Sequence, residues 1–229
     1  MAYNVDLVLV IDGTGSMTPF LDKVKAHALS FHNDILEKME NIQKNLDSLR
    51  VKIIIFRDYY HDDEPMIISD FYKLIDKSEV SETESDKSAS QAFKEFLDGI
   101  IAMGGGDEPE SGLEGIALAI KSDWVQGENC RHIIAVWTDA SCHPFVYDRK
   151  PHPVSYPKDM PKNLRELTGM WGQDMGMNSK RAILYTPNVE PWNTISETWD
   201  NTIHYPAKAG TGLNSTDYNS ILEMIINSI

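Results

Sequence analysis

Cysteine is scarce in this chain, with only Cys130 and Cys142 among 229 residues. Two cysteines outside any CxxC pair build no disulfide framework, which fits a reducing compartment. Basic residues are also short: 21 Lys and Arg stand against 35 Asp and Glu, for a net charge of −14. That deficit argues against nonspecific nucleic-acid binding and against docking on anionic lipid, both of which need basic patches. No run of about 18 apolar residues occurs, so no transmembrane helix is expected. The first apolar run lies between Asp6 and Asp12 with no basic region ahead of it, unlike a secretory signal. The expected location is cytoplasmic. There is no internal repeat and no linker-like stretch.

What remains is globular material, 41% hydrophobic and 9% aromatic, long enough to bury a core within one domain over residues 1–229. Short apolar runs read as strands at 4–11, 50–59, 65–72, 131–139, 180–187 and 201–206. The third follows the second closely enough to pair with it antiparallel. Between them lie helical patterns. Phe20, Val24, Ala28, Phe31, Ile35, Met39, Ile42 and Leu46 recur every three or four residues, the stripe of one long or interrupted helix. Residues 91–103, 110–124 and 215–229 also read as helical, the last with Ser215 or Thr216 as its cap. The polar stretch 76–90 reads as a surface loop or frayed helix. Residues 140–179 carry five prolines and form a long irregular insertion with a helix near 160–171. Alternating strands and helices predict a three-layer αβα sandwich around a mostly parallel sheet with one antiparallel edge strand.

In such sheets ligands sit beyond the carboxyl ends of the strands. Two strand ends carry an aspartate: Asp12 after "VLVI" and Asp139 after "IIAVWT". Behind Asp12, "DGTGSM" places Thr14 and Ser16 at alternate positions, with glycines between them that permit a tight turn. A third acidic loop, "MGGGDEPE", contains Asp107. Hydroxyl and carboxylate oxygens are the ligands of a hard divalent cation. Aspartates gathered without a basic partner call for one.

These three loops, in this order, resemble the von Willebrand factor type A domain and its metal-ion-dependent adhesion site. "DGTGSM" matches the family's Asp-x-Ser/Thr-x-Ser with Asp12, Thr14 and Ser16, and "WTDAS" supplies Asp139. "GGGDEPES" is similar to a loop of intracellular and hemicentin-like members and puts Asp107 where many relatives have threonine. "FRDY" (56–59) also looks like this branch of stand-alone, mainly bacterial proteins. The resemblance implies a Rossmann-like fold and a site for Mg²⁺, or for Mn²⁺ or Ca²⁺. It implies a non-enzymatic adaptor that binds a protein partner through the metal and works in trans with other components. With Asp107 as a ligand, three carboxylates leave the site near −1, less welcoming to a partner's carboxylate.

Local roles compete with this reading. Asp12 can cap the first helix, Thr14 and Ser16 can be turn residues, and Asp107 and Glu110 can favour the next helix N-terminus. Asp58 is expected to pair with Arg57 or to serve a turn. Cys142 and His143 lack a second pair at ligand spacing for zinc. Met170, Met175 and Met177 read as loop packing. The rival functions are a metal-dependent hydrolase or phosphatase and a structural scaffold without functional metal. An aspartyl-phosphatase loop needs Asp-x-Asp, and Thr14 stands at the second position. "GTGSM" also lacks the lysine of a phosphate-binding loop.

Overall fold

A computed structural model describes residues 2–77, 84–105, 109–145, 153, 155–175 and 179–229, with 84–87 as backbone only. Strand β1 (Ala2–Asp12) lies at the centre of the sheet. It pairs in parallel with β2 (Asn45–Phe56) on one side and β5 (Cys130–Trp137) on the other. Beyond β5 come β6 (Lys180–Pro187) and β7 (Thr202–Ala207), again parallel. The antiparallel edge is made by two short strands that both pair with β2, β3 (Met66–Ile68) and β4 (Tyr72–Asp76).

Strand β1 is apolar throughout its middle because both of its faces are covered, as a central parallel strand requires. Leu7, Leu9 and Ile11 enter one core cluster, Val8 and Val10 the other. The first cluster is closed by α1 (Thr18–Ala26), α2 (Phe31–Asn41), α3 (Glu84–Gly99) and α7 (Tyr218–Ile226), through side chains such as Phe20, Ile35, Phe93 and Ile225. The second is closed by α4 (Gly112–Ile120), α5 (Leu164–Gln173) and α6 (Trp192–Thr198), through Ile116, Trp171 and Trp192. The expected αβα sandwich is therefore the observed architecture, with two short strands in tandem where one edge strand was expected.

Several boundaries differ from the sequence pattern for physical reasons. The stripe from Phe20 to Leu46 spans two helices and then a strand: Ala28 is buried in the turn between α1 and α2, and Leu46 already belongs to β2. Polar residues from Glu84 onward are helical because α3 is anchored further along by Phe93 and Leu97. The next helix is shorter than its pattern, ending at Ile120. The last helix is capped by Asp217, which accepts from the Ser220 amide at 2.9 Å, not by Ser215 or Thr216. The helix expected near 160–171 is α5, begun by Asn163, whose side chain accepts from the Glu166 amide.

Midway along β1, a bidentate ion pair locks two neighbouring strands. Arg50 donates to both Asp6 oxygens at 2.8 and 2.6 Å, directly across the β1–β2 register, and the Val125 amide adds a third bond. Removing one partner of a buried pair strands the other. Asp6→Ala is expected to lower the unfolding free energy by about 3 kcal/mol in urea titrations. Asp22→Ala, on the exposed side of α1, should change it by less than about 0.5 kcal/mol.

Candidate metal centre

The centre is built where the strand order reverses. Strand β1 runs on to β2 on one side of the sheet, and the later strands add on the other, so the carboxyl ends of β1 and β5 diverge around a crevice. Ile11 pairs with Trp137 in that register, so Asp12 and Thr138 emerge side by side. The chain then turns away from β1 through Gly13, where a Cβ would overlap the Ile55 side chain. Close approach to β2, and not an unusual dihedral, is what demands glycine at 13. A Cβ at Gly15 would have room, 3.7 Å from its nearest neighbour.

Asp12, Thr14, Ser16 and Asp139 form one continuous chain of oxygen atoms. Asp12 Oδ1 accepts from the Thr14 amide at 2.8 Å and from Thr14 Oγ1 at 2.6 Å. Thr14 Oγ1 lies 3.4 Å from Ser16 Oγ, and Ser16 Oγ donates to Asp139 Oδ1 at 2.9 Å. On the far side Thr138 Oγ1 donates to Asp12 Oδ2 at 2.6 Å, and the Gly212 amide donates to Asp139 Oδ2 at 2.6 Å. Asp12, Thr14 and Asp139 are buried, whereas Ser16 is exposed, so the chain opens to solvent at the serine.

Among the described residues, every hydrogen bond to these two carboxylates comes from a neutral donor. Such bonds to an ionised group are each worth about 1.5–3 kcal/mol. They do not outweigh burial: desolvation raises the Asp12 pKa from 3.8 to about 6, against the bonds from Thr138 and Thr14, and the nearby charge of Asp139 adds to the rise. No three or more His, Cys, Asp or Glu side chains converge as a metal cage among the described residues. A cation here would rest on two carboxylates and two hydroxyls, an all-oxygen set suited to Mg²⁺, Mn²⁺ or Ca²⁺.

Four loops are fastened around this chain of oxygens. Residues 100–105 dock on the first through Met103 N to Gly13 O at 3.0 Å. Arg57, 2% exposed, donates to the carbonyls of Gly13 (3.3 Å), Glu64 (2.7 Å) and Ile101 (2.9 Å), stapling three segments with one guanidinium. Glu110 is buried beside the segment that follows Asp139, with its amide on Ser141 O and its carbonyl accepting from the His143 amide. The segment at 210–212 wraps Asp139 through the Gly210 and Gly212 amides. Gly212 has φ +60, and a Cβ there would overlap the Ser16 carbonyl.

The structure thus brings together Asp12, Thr14, Ser16 and Asp139, while Asp107 lies outside the described residues. Asp12 does not cap α1: its carboxylate folds back on Thr14 and across to Thr138. Asp58 does not pair with Arg57, whose donors are taken by carbonyls and by Glu64 Oε2 at 3.4 Å. Asp58 serves the turn, the alternative expected from the sequence, accepting from the Tyr60 amide at 2.8 Å; it also holds His61 Nδ1 and lies 3.6 Å from His143 Nε2. Thr138 and Gly212 were not singled out from the sequence. Thr138 lay within the quoted "WTDAS", and "GTG" at 210–212 echoes the "GTG" at 13–15, the one available signal for the fourth loop.

No protein-family model and no curated protein matches the chain. Solved structures do. A von Willebrand factor type A protein from Catenulispora acidiphila aligns over 99% of this chain and 43% of its own, at 15% identity and a TM-score of 0.56. The pilus adhesin SpaC from Lactobacillus rhamnosus GG aligns over 98% of this chain and 31% of its own, at 14% identity and a TM-score of 0.52. Its open conformation gives 98%, 30%, 13% and 0.51. The chain therefore spans under half the length of these structures, and at such identities they establish its fold, which is of the von Willebrand factor type A kind.

The raised Asp12 pKa sets a sign. An acid ionising later in the folded than in the unfolded state stabilises fully below pH 3.8, and that contribution is lost as pH rises through about 6. With chelator present, raising the pH from about 3 to about 7 should lower the unfolding free energy of the wild type by about 3 kcal/mol relative to Asp12→Asn. Parallel pH profiles for the two proteins, measured in urea, would remove Asp12 as the buried acid.

Proposed function

We propose that this von Willebrand factor type A-like chain is a divalent-cation-dependent protein-interaction module, with Asp12, Thr14, Ser16, Asp139 and Asp107 holding the ion. The observation that carries the reading is the oxygen chain from Thr138 through Asp12, Thr14 and Ser16 to Asp139, with two carboxylates held by neutral donors alone and one end open to solvent. When bound, the ion supplies a short-range positive charge and a coordination position for an oxygen of the partner.

The chain's own residues divide the work. Thr14 and Ser16 present hydroxyl oxygens at the rim, and Asp12 and Asp139 supply the balancing charge. Thr138 and the Gly212 amide orient those two carboxylates from behind. Gly13, Arg57 and the 100–105 loop hold the rim in place. Ile101 and Met103 on that loop are 66% and 54% exposed, giving the rim apolar side chains of the kind that contact a protein partner. With Asp107 included the centre carries one negative charge beyond a divalent ion, which favours a neutral oxygen or a basic group from the partner.

The module is read as a binding protein, not an enzyme. At the position where an aspartyl phosphatase needs its general acid stands Thr14, whose hydroxyl is engaged with Asp12. A reducing, cytoplasmic setting is part of the proposal, and Cys130 and Cys142 are both free and buried. No helix among the described residues is long and apolar enough to cross a membrane.

Mg²⁺ or Mn²⁺ at about 100 times its dissociation constant should stabilise the chelator-treated protein by about 2.7 kcal/mol. Ser16→Ala should weaken that response, and, because Ser16 donates to the buried Asp139, should also lower the stability of the metal-free form by about 1.5 kcal/mol. An unchanged melting temperature with each of Mg²⁺, Mn²⁺ and Ca²⁺, together with no heat of binding, would exclude the ion and return the chain to the scaffold reading.

A further inference from the structure

A second group of titratable side chains lies apart from the oxygen chain, on the α4 face of the sheet. Glu114, in the first turn of α4, is 1% exposed. Its Oε1 accepts from the Tyr156 hydroxyl at 2.8 Å, and its Oε2 is buried with no hydrogen-bond partner among the described residues. Tyr156 belongs to residues 155–160, which cross over α4 between β5 and α5. Its ring meets Tyr59 edge-on at 5.0 Å, and Tyr59 beneath it is 4% exposed. The Tyr156–Glu114 bond and the Tyr156–Tyr59 ring contact hold this strap on the helix and on the loop after β2, and Lys121 at the end of α4 donates to the Asp159 carbonyl.

We propose that Glu114 and Tyr156 form a proton-controlled latch: with Glu114 protonated the strap 155–160 stays closed over α4, and loss of that proton releases it and uncovers Tyr59.

The geometry explains the direction. A neutral carboxyl accepts from Tyr156 through one oxygen and leaves a hydroxyl on the other, at modest cost. An ionised one leaves a charge in a place that water reaches only if the strap lifts. The groups facing Glu114 come from three segments. Tyr156 lies on the strap, Tyr59 and Asp58 lie after β2, and Cys142 and His143 lie after β5. Burial dominates and raises the Glu114 pKa from 4.5 to about 7. The Tyr156 bond and His143 oppose the rise, and Asp58 adds to it. Opening restores an ordinary carboxyl, so the open fraction rises about tenfold per pH unit between about 4.5 and 7 and is level above that.

Hydrogen exchange read by mass spectrometry on 155–160, corrected for the intrinsic pH dependence and run in chelator, tests the latch without any metal. Amides of β1 in the same sample report global unfolding. In the wild type, protection of the strap should fall about tenfold per unit from pH 5 to 7, with β1 protected throughout. Glu114→Gln keeps the acceptor for Tyr156 and cannot ionise, so its strap should stay protected across the range. Tyr156→Phe should lower the protection of the strap below that of the wild type at pH 5. A flat wild-type profile, the same slope in Glu114→Gln, or undiminished protection at pH 5 in Tyr156→Phe would overturn the latch. If Glu114→Gln does not fold, the wild-type slope and the lower protection of Tyr156→Phe at pH 5 decide. Because chelator is present throughout, these outcomes are independent of whether the centre binds an ion.

Discussion

Two carboxylates are buried at the carboxyl ends of adjacent parallel strands, and only neutral groups hold them. Asp12 has both oxygens occupied by Thr14 and Thr138, and Asp139 is held by Ser16 and the Gly212 amide. Burial still wins over those bonds, as the upward displacement of the Asp12 pKa records. The rest of this end of the molecule follows from that unsatisfied charge. Donors must converge on it, so four loops must be packed against one another closely enough to bring hydroxyls and amides into place.

That packing is done largely by the main chain. Met103 N reaches Gly13 O, Gly13 N reaches Phe56 O, and Gly210 N reaches Asp139 O. Arg57 completes it, because a guanidinium has enough donors to satisfy three carbonyls from separate segments at once. It fastens the loops through carbonyls and donates to neither carboxylate. The group around Asp58, His143 and Glu114 uses the same loops from the other face of the sheet.

Much of the architecture was legible because it depends on local periodicity. A run such as Val8–Ile11 ended by Asp12 and Gly13 reads as a central strand reaching a rim, and the three-or-four spacing from Phe20 to Met39 reads as helix, broken only by the turn at Ala28. Legibility failed where the deciding contact is distant. Strand β4 has five residues and exists because β2 offers an edge to it. Helix α6 has two buried anchors, Trp192 and Ile195, too few to make a period. The stripe that continued to Leu46 was wrong about structure, since a strand residue can face the same core as a preceding helix, and Ile42 within it is 49% exposed.

The sequence by itself determined the local chemistry of the centre: a carboxylate at a strand end, hydroxyls at alternate positions behind it, a second aspartate at another strand end, and an acidic excess with no basic residue nearby in the chain. Those features depend on neighbours within a few positions. Only the tertiary structure decided which groups answer them. Thr138 meets Asp12 across 126 residues of chain, and Gly212 meets Asp139 across 73. Asp58 turns to His143 instead of to its neighbour Arg57. Parallel pairing of β1 with β5 creates the first contact and the close approach at Gly212 permits the second. Neither strand register nor loop approach is encoded in spacing along the chain, because both are set by which apolar faces find each other in the folded core.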